Sequence, residues 1–195
     1  MNISASQNKA AGEFVDLIAS KASSGGRAVH PETAISCAAR IAGSLLLRSF
    51  NLGLGAAEPG TVVLSNEANE KGPQLVSILA AFLANNGVSL DQSLLGGKSA
   101  NRGSEPQLST IQTLSLLQAD ALNIASQNNL TLEQAAQSAA LATAFIVKES
   151  ARNIAAETGF NVASFGFVEG SKTVPPPAAI EKSTSTRRKP WYRLS

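Results

Sequence analysis

The stretch from His30 to Leu52, HPETAISCAARIAGSLLLRSFNL, limits the fold more than any other part of the chain. Pro31 suits the first turn of a helix, because the amide hydrogen that proline lacks has no intrahelical acceptor there. Gly53 and Gly55 can end the helix, since glycine readily takes positive φ. The stretch therefore predicts a helix over 31–52, roughly 33 Å long at about 1.5 Å per residue.

Only one narrow stripe of this predicted helix is polar. Its members recur every four residues and are Glu32, Ser36, Arg40, Ser44 and Arg48. Small and apolar side chains occupy most of the remaining circumference, a pattern typical of a helix covered by neighbours on several sides. We therefore expect a mainly α, single-domain helical bundle around a central buried helix, 31–52.

Apolar spacing predicts four further helices, near 8–22, 73–86, 106–127 and 132–157. Two capping boxes precede the last two of them, Ser104 with Gln107 and Thr131 with Gln134. The turn at 128–129 predicts that these two helices form an antiparallel hairpin. We interpret the apolar segment 160–167 as strand-like or as an extended cover. The bundle then has about five helices within a domain spanning 1–169.

The low content of charged residues predicts self-association. Charged residues make up 15 % of the chain and hydrophobic residues 44 %, whereas soluble domains average about 25 % charged residues. A domain with so few charges is easier to explain if another subunit covers part of its surface. We expect a homo-oligomer, most simply a symmetric dimer.

The sequence predicts a cytoplasmic protein that does not enter a membrane. The single cysteine, Cys37, cannot form an intramolecular disulfide, and no secretory signal is recognisable at the N-terminus. The longest apolar runs, such as 139–147, are much shorter than the ~20 residues that a membrane helix needs.

The chain offers few residues for catalysis. His30 is the only histidine, and Cys37 follows it by seven residues. On one straight helix that separation is about 10.5 Å along the axis, too far for a Cys–His dyad. We interpret His30 as a helix-start residue and Cys37 as a core residue. We therefore predict no catalytic residue, no metal ligand and no cofactor.

A ligand-binding site is predicted between the polar stripe of 32–48 and the segment 65–71. Its residues are Arg40, Glu67, Glu70 and Lys71. A buried arginine needs a carboxylate partner, so we expect Arg40 to pair with Glu67 or Glu70. A structural ion pair is the favoured interpretation. A small-ligand or enzyme site is the alternative.

The chain ends in a Pro/Ser/Thr-rich basic tail, 170–195. Residues 171–195 contain six basic residues and one acidic residue, a net charge of +5, while the rest of the chain carries −3. The predicted partner-binding residues are Arg187, Arg188, Lys189, Trp191, Tyr192 and Arg193. Aromatic side chains beside arginine are typical of interface anchors and of single-stranded nucleic-acid contacts.

Three interpretations of the tail remain open at this point. It is a flexible tail in which the two aromatic residues are incidental, a docking arm for a protein, or a nucleic-acid contact. The acidic remainder of the chain disfavours the last, because it repels phosphate. Taken together, the sequence predicts a non-catalytic helical protein-interaction or structural subunit that self-associates and uses its tail as a docking arm.

Overall fold

Six α-helices form a bundle in the computed structural model, which describes residues 3–22, 30–96 and 105–177. They are α1 Ala5–Lys21, α2 Pro31–Ser49, α3 Asn66–Asn85, α4 Thr110–Gln127, α5 Leu132–Ser150 and α6 Ala156–Lys172. Single 3-10 turns lie at Leu54–Ala56 and Gln92–Leu94. Within these ranges the β pairing consists of one isolated antiparallel bridge, Val62 with Thr173. The mainly α bundle expected from the sequence is confirmed.

Helix α2 is the centre of the bundle, as the sequence predicts. Every residue from Glu32 to Leu47 is buried. The helix packs most extensively against α6 and α5, and it also contacts α4, α3 and α1. It ends at Ser49 rather than at 52, and Asn51 follows with a φ of +53°.

Helix α6 corrects the interpretation of 160–167 as a strand-like segment. The segment is helical throughout and lies against α2. Glycines make this contact so close that backbone meets backbone: a Cβ added at Gly170 would overlap the carbonyl oxygen of Arg40, and one added at Gly43 would overlap that of Phe167. The glycines that weaken the helical pattern in the sequence are therefore what lets α6 approach α2.

The beginnings of α3 and α4 differ from the predicted positions. Helix α3 starts at Asn66, with Ser65 accepting a hydrogen bond from the Ala68 amide at 3.1 Å, and Pro73 lies inside the helix rather than at its start. Helix α4 starts at Thr110 behind a different capping box, Ser109 with Gln112. The predicted box relied on Ser104, which lies outside the described residues.

Helix α5 begins as predicted and ends early. The capping box of Thr131 with Gln134 is confirmed, but the helix stops at Ser150 instead of 157. Neither glycine nor proline marks this break. Helices α4 and α5 are consecutive but contact each other only slightly, because α5 packs against α2, α1 and α3 instead.

The chain beyond α6 is held against the bundle as far as Pro177. The Val63 amide donates to the Lys172 carbonyl at 2.7 Å, and the Val174 amide donates to the Thr61 carbonyl at 2.9 Å. The predicted boundary between 169 and 170 falls inside α6. A separate tail domain stays a prediction, since 178–195 lie outside the described residues.

A side-chain clamp holds the proline run that follows. The Gln118 Nε2 donates to the Pro176 carbonyl at 2.7 Å, and the Arg48 Nη2 donates to the same carbonyl at 3.3 Å. Because Gln118 lies on α4, the chain has crossed from α6 to the α4 side of the bundle at this point.

No helix in the described part of the chain is both long and apolar enough to cross a bilayer.

Candidate functional site

The buried arginine of the polar stripe has a structural partner. Arg40 is 6 % exposed, and its Nε lies 2.7 Å from Oε2 of Glu169 on α6. Its Nη1 donates to the Leu108 carbonyl and, at 3.4 Å, to the Thr113 hydroxyl. The guanidinium therefore ties α2 to α6 and to the start of α4.

The predicted pairing of Arg40 with Glu67 or Glu70 is wrong. The carboxylate comes from Glu169 on α6, and the sequence pattern does not predict a helix there that would bring Glu169 to Arg40. Lys71 also has its own partner, since its Nζ lies 2.7 Å from Oε2 of Glu133 on α5. A ligand-binding role for these residues stays a prediction.

His30 and Cys37 occupy the ordinary structural positions that the sequence suggested. His30 precedes α2, with its Nδ1 3.4 Å from Oε2 of Glu32. Cys37 is fully buried, and its Sγ lies 3.6 Å from the Thr113 hydroxyl. Burial raises the pKa of the Cys37 thiol, opposed by the Thr113 hydrogen bond and the charge of Arg40. Among the described residues, no three His, Cys, Asp or Glu side chains lie close enough to hold a metal ion.

We expect Cys37 to resist a disulfide-exchange reagent such as Ellman's reagent in the native protein and to react fully after unfolding. The reacting species is the thiolate, and here the thiol is both buried and raised in pKa. Because folding raises the pKa of the Cys37 thiol, the protonated thiol favours the folded state. This contribution to stability is fully present below pH 9.0, the ordinary pKa of the group, and is lost as the pH rises further. Rapid labelling of the native protein would contradict the described burial.

A groove of about 450 Å³ lies between α3 and α6 on the surface of the bundle. We call it the α3–α6 groove. Its α3 wall includes Gly72, Pro73 and Val76, and its α6 wall includes Val168 and Lys172. Nothing lies within 4 Å of the Cβ position of Gly72, so the groove stays open at that point.

Four large apolar side chains stand in solvent on and beside α6. We call them the apolar patch: Val62 is 68 % exposed, Leu64 82 %, Phe165 58 % and Val168 50 %. Phe165 and Val168 are three residues apart and share one face of α6. Val62 and Leu64 belong to the segment that is hydrogen-bonded to the end of α6. The patch therefore adjoins the α3–α6 groove, which Val168 lines.

Two exposed carboxylates lie on the first turns of α3, and neither of them lines the groove. Glu67 and Glu70 are exposed on the first turns of α3, flanking the lining residues Ala68 and Asn69 in the sequence. Neither forms an ion pair with any described residue. The sequence predicts both residues as members of a ligand-binding site and as alternative partners of Arg40.

A second apolar surface lies on the outer side of α5. Phe145 is 41 % exposed there, and clefts of about 430 and 460 Å³ meet at Phe82 and Leu141. The other large core side chains at this surface are buried or partly buried. It is therefore a weaker candidate for an interaction site than the apolar patch.

Sequence reasoning missed the apolar patch, although its signal is present. The i, i+3 spacing of Phe165 and Val168 marks one helical face, and it is visible only once 156–172 is recognised as a helix. The tail residues predicted to bind a partner, Arg187 to Arg193, lie outside the described residues.

Comparisons with protein-family models, curated proteins and solved structures find no match for this chain.

Proposed function

We propose that this chain is a non-catalytic helical protein-interaction subunit that self-associates, with the apolar patch and the α3–α6 groove as its binding face. The observation that carries the proposal is the exposure of the four patch side chains in a bundle whose other large apolar residues are mostly covered. Each Å² of apolar surface removed from water contributes about 25 cal/mol, so covering this patch is favourable. Apolar patches with polar borders typically mark protein contacts.

The polar groups of α2 support a structural interpretation rather than a small-ligand site. Arg40 is engaged by Glu169, and Arg48 donates to Gln118 at 2.7 Å as well as to Pro176. These contacts leave the predicted enzyme or ligand site without a supporting observation. The nucleic-acid alternative is also disfavoured, because Glu67 and Glu70 are exposed on α3 and form no ion pair with any described residue.

The proposed compartment is the cytoplasm, and the proposed docking arm is the basic tail. A free, buried cysteine suits a reducing compartment, where thiols stay reduced. The tail joins the bundle at the clamp formed by Gln118 and Arg48. The tail is therefore held at Pro176, while its predicted partner-binding residues, which are basic or aromatic, begin at Arg187.

Sedimentation equilibrium tests the proposal directly. We expect a mass near twice 20.1 kDa at micromolar concentration, and a Phe165→Glu variant that returns to the monomer mass. Phe165 is exposed, so at concentrations where the parent is also monomeric the variant should have nearly the same melting temperature.

The matched control is Phe145→Glu, which introduces the same charge at an exposed phenylalanine on α5. It should leave the self-association unchanged. Dissociation by Phe145→Glu alone would move the interface to the outer side of α5. A monomeric parent protein would reject self-association.

A further inference from the structure

A cavity of about 510 Å³ lies at the C-terminal end of α2. We call it the α2-end cavity. Its walls come from the last turn of α2, the loop 51–59, Leu122 of α4, Leu132 of α5 and the segment 174–177. It shares no lining residue with the α3–α6 groove or with the apolar patch. Its volume lies within the range of about 300–1,000 Å³ that is usual for small-molecule sites.

The side chains that line the α2-end cavity are apolar apart from Arg48 and Asn51, and Arg48 is the only charged one. Leucine, valine and proline supply most of the others. Glu58 lies in the sequence between the lining residues Ala57 and Pro59, but it is exposed and does not line the cavity. A few polar groups in an apolar wall fix the orientation of a ligand. A ligand that matches these walls is therefore apolar over most of its surface and negatively charged at one end.

Arg48 is half-buried and has no carboxylate partner among the described residues. Its Nη2 donates at 2.7 Å to Oε1 of Gln118 and at 3.3 Å to the Pro176 carbonyl, and both acceptors are neutral. The hydrogens on its Nε and Nη1 form no hydrogen bond with any described residue. Arg40, by contrast, is paired with Glu169. Because a charge taken from water without an opposite charge is unfavourable, a carboxylate bound at Arg48 would supply both the missing charge and an acceptor.

The surroundings of Arg48 also prepare it for an anion. Burial lowers the pKa of its guanidinium from the ordinary 12.5, yet an arginine stays protonated at neutral pH. Gln118 and Pro176 hold the guanidinium in place through Nη2. A ligand therefore meets a charged donor that is already ordered, which reduces the entropy lost on binding.

We propose that the α2-end cavity binds a small molecule with one carboxylate and an apolar body, and that Arg48 binds the carboxylate. One arginine in an apolar wall compensates one negative charge, which favours a carboxylate over a doubly charged phosphate. The inference goes beyond the proposed function, because it concerns a different surface and holds whether or not the chain self-associates. The cavity also differs from the ligand site predicted from the sequence, since it is not lined by any of that site's residues: Arg40, Glu67, Glu70 and Lys71.

Isothermal titration calorimetry of the full chain with octanoate tests the inference. Octan-1-ol has the same apolar chain without the charge, and acetate has the charge without the chain. We expect one octanoate per chain and binding of octan-1-ol that is weaker by about tenfold or more, because the alcohol lacks the charge-assisted hydrogen bond. Acetate should not bind at the same concentrations, since it buries almost no apolar surface. Equal affinity for octanoate and octan-1-ol, or no saturable binding of octanoate, would overturn the proposal.

Substitution of Arg48 tests the named contact. Arg48→Met should weaken octanoate binding by about tenfold or more and change octan-1-ol binding by less than about threefold, because only the carboxylate loses its partner. Arg48→Lys keeps the charge on a different side chain and should retain part of the preference for octanoate. Arg152→Met is the matched control at an exposed arginine and should change neither affinity. An unchanged preference for octanoate in Arg48→Met would reject the contact.

Gln118→Met separates ligand binding from the clamp on Pro176. It removes the hydrogen bonds of Gln118 to Arg48 and to Pro176, but it keeps the guanidinium. The preference for octanoate over octan-1-ol should therefore persist. Loss of this preference to the same extent in Gln118→Met and Arg48→Met would show that Arg48 acts only through the clamp, and would overturn its contact with the carboxylate.

Two variants that fill the cavity from different walls test its position. Leu122→Trp acts from α4, and Ala57→Phe acts from the loop, where Ala57 has an extended backbone that accepts any side chain. Each variant that keeps the parent's circular dichroism spectrum should bind both octanoate and octan-1-ol more weakly. Unchanged octanoate affinity in a folded variant would place the ligand elsewhere, for example on the apolar patch, and would reject the site. Octanoate binding that appears only in Glu181→Gln would assign the cavity to the chain's own carboxylate and overturn the proposal of a separate ligand.

Discussion

Replacing Gly170 by alanine is expected to destabilise the bundle by about 3 kcal/mol or more. The added Cβ would overlap the carbonyl oxygen of Arg40, and the next two atoms it would meet are also backbone atoms of Arg40. Overpacking a core usually costs about 1–3 kcal/mol when side chains can adjust. Here the obstacle is the backbone of the central helix, so α6 itself has to move away from α2. Urea unfolding followed by circular dichroism measures the loss.

Gly12→Ala is the matched control for this substitution. Gly12 also lies inside a helix, but it is exposed on α1 and has nothing within 4 Å of its Cβ position. Alanine there should stabilise the protein by roughly 0.5–1 kcal/mol, because glycine in a helix interior is unfavourable. Equal stabilisation by both substitutions would contradict the close contact between α2 and α6.

Arg40→Ala is expected to lower the free energy of unfolding by about 2–3 kcal/mol. Loss of one partner of a buried pair costs about 3–5 kcal/mol, and we reduce this figure because Glu169 is 45 % exposed in its side chain and can be rehydrated. The Leu108 carbonyl loses a donor as well. Thermal and urea unfolding both measure the effect.

Two further variants identify the source of that loss. Arg152 is exposed on the turn after α5, so Arg152→Ala should change stability by less than about 0.5 kcal/mol. Arg40→Met keeps much of the apolar volume without the charge and should be milder than Arg40→Ala. Coincident unfolding curves for Arg40→Ala and Arg152→Ala would show that the ion pair contributes nothing.

The central helix could be predicted because its own residues carry the signal. An apolar circumference with one polar stripe indicates burial whatever the neighbours are. The capping box of Thr131 with Gln134 was equally local. Helix α6 was missed because its glycines are unfavourable in an isolated helix and make sense only against α2, a contact more than 100 residues away in sequence.

The candidate site was predictable only in part, for the same physical reason. The sequence predicts Glu67 and Glu70 as site residues, but whether they pair with a described base depends on Glu169 pairing with Arg40 and Glu133 with Lys71. Both of those partners come from distant helices. The exposed face formed by Phe165 and Val168 likewise appears only when α6 is helical. Local pattern thus identifies polar and aromatic candidates, whereas tertiary contacts decide which of them stay available.

Because α2 packs against α6, this contact can form only late in synthesis of the chain. Helix α2 is complete at Ser49, but α6, the helix that it contacts most extensively, ends at Lys172. At about 5–20 residues per second, a ribosome needs roughly 6–25 s to make the intervening chain. During that interval the side of α2 that packs against α6 is without its native partner. We therefore expect the nascent chain to bind chaperones that recognise exposed apolar segments.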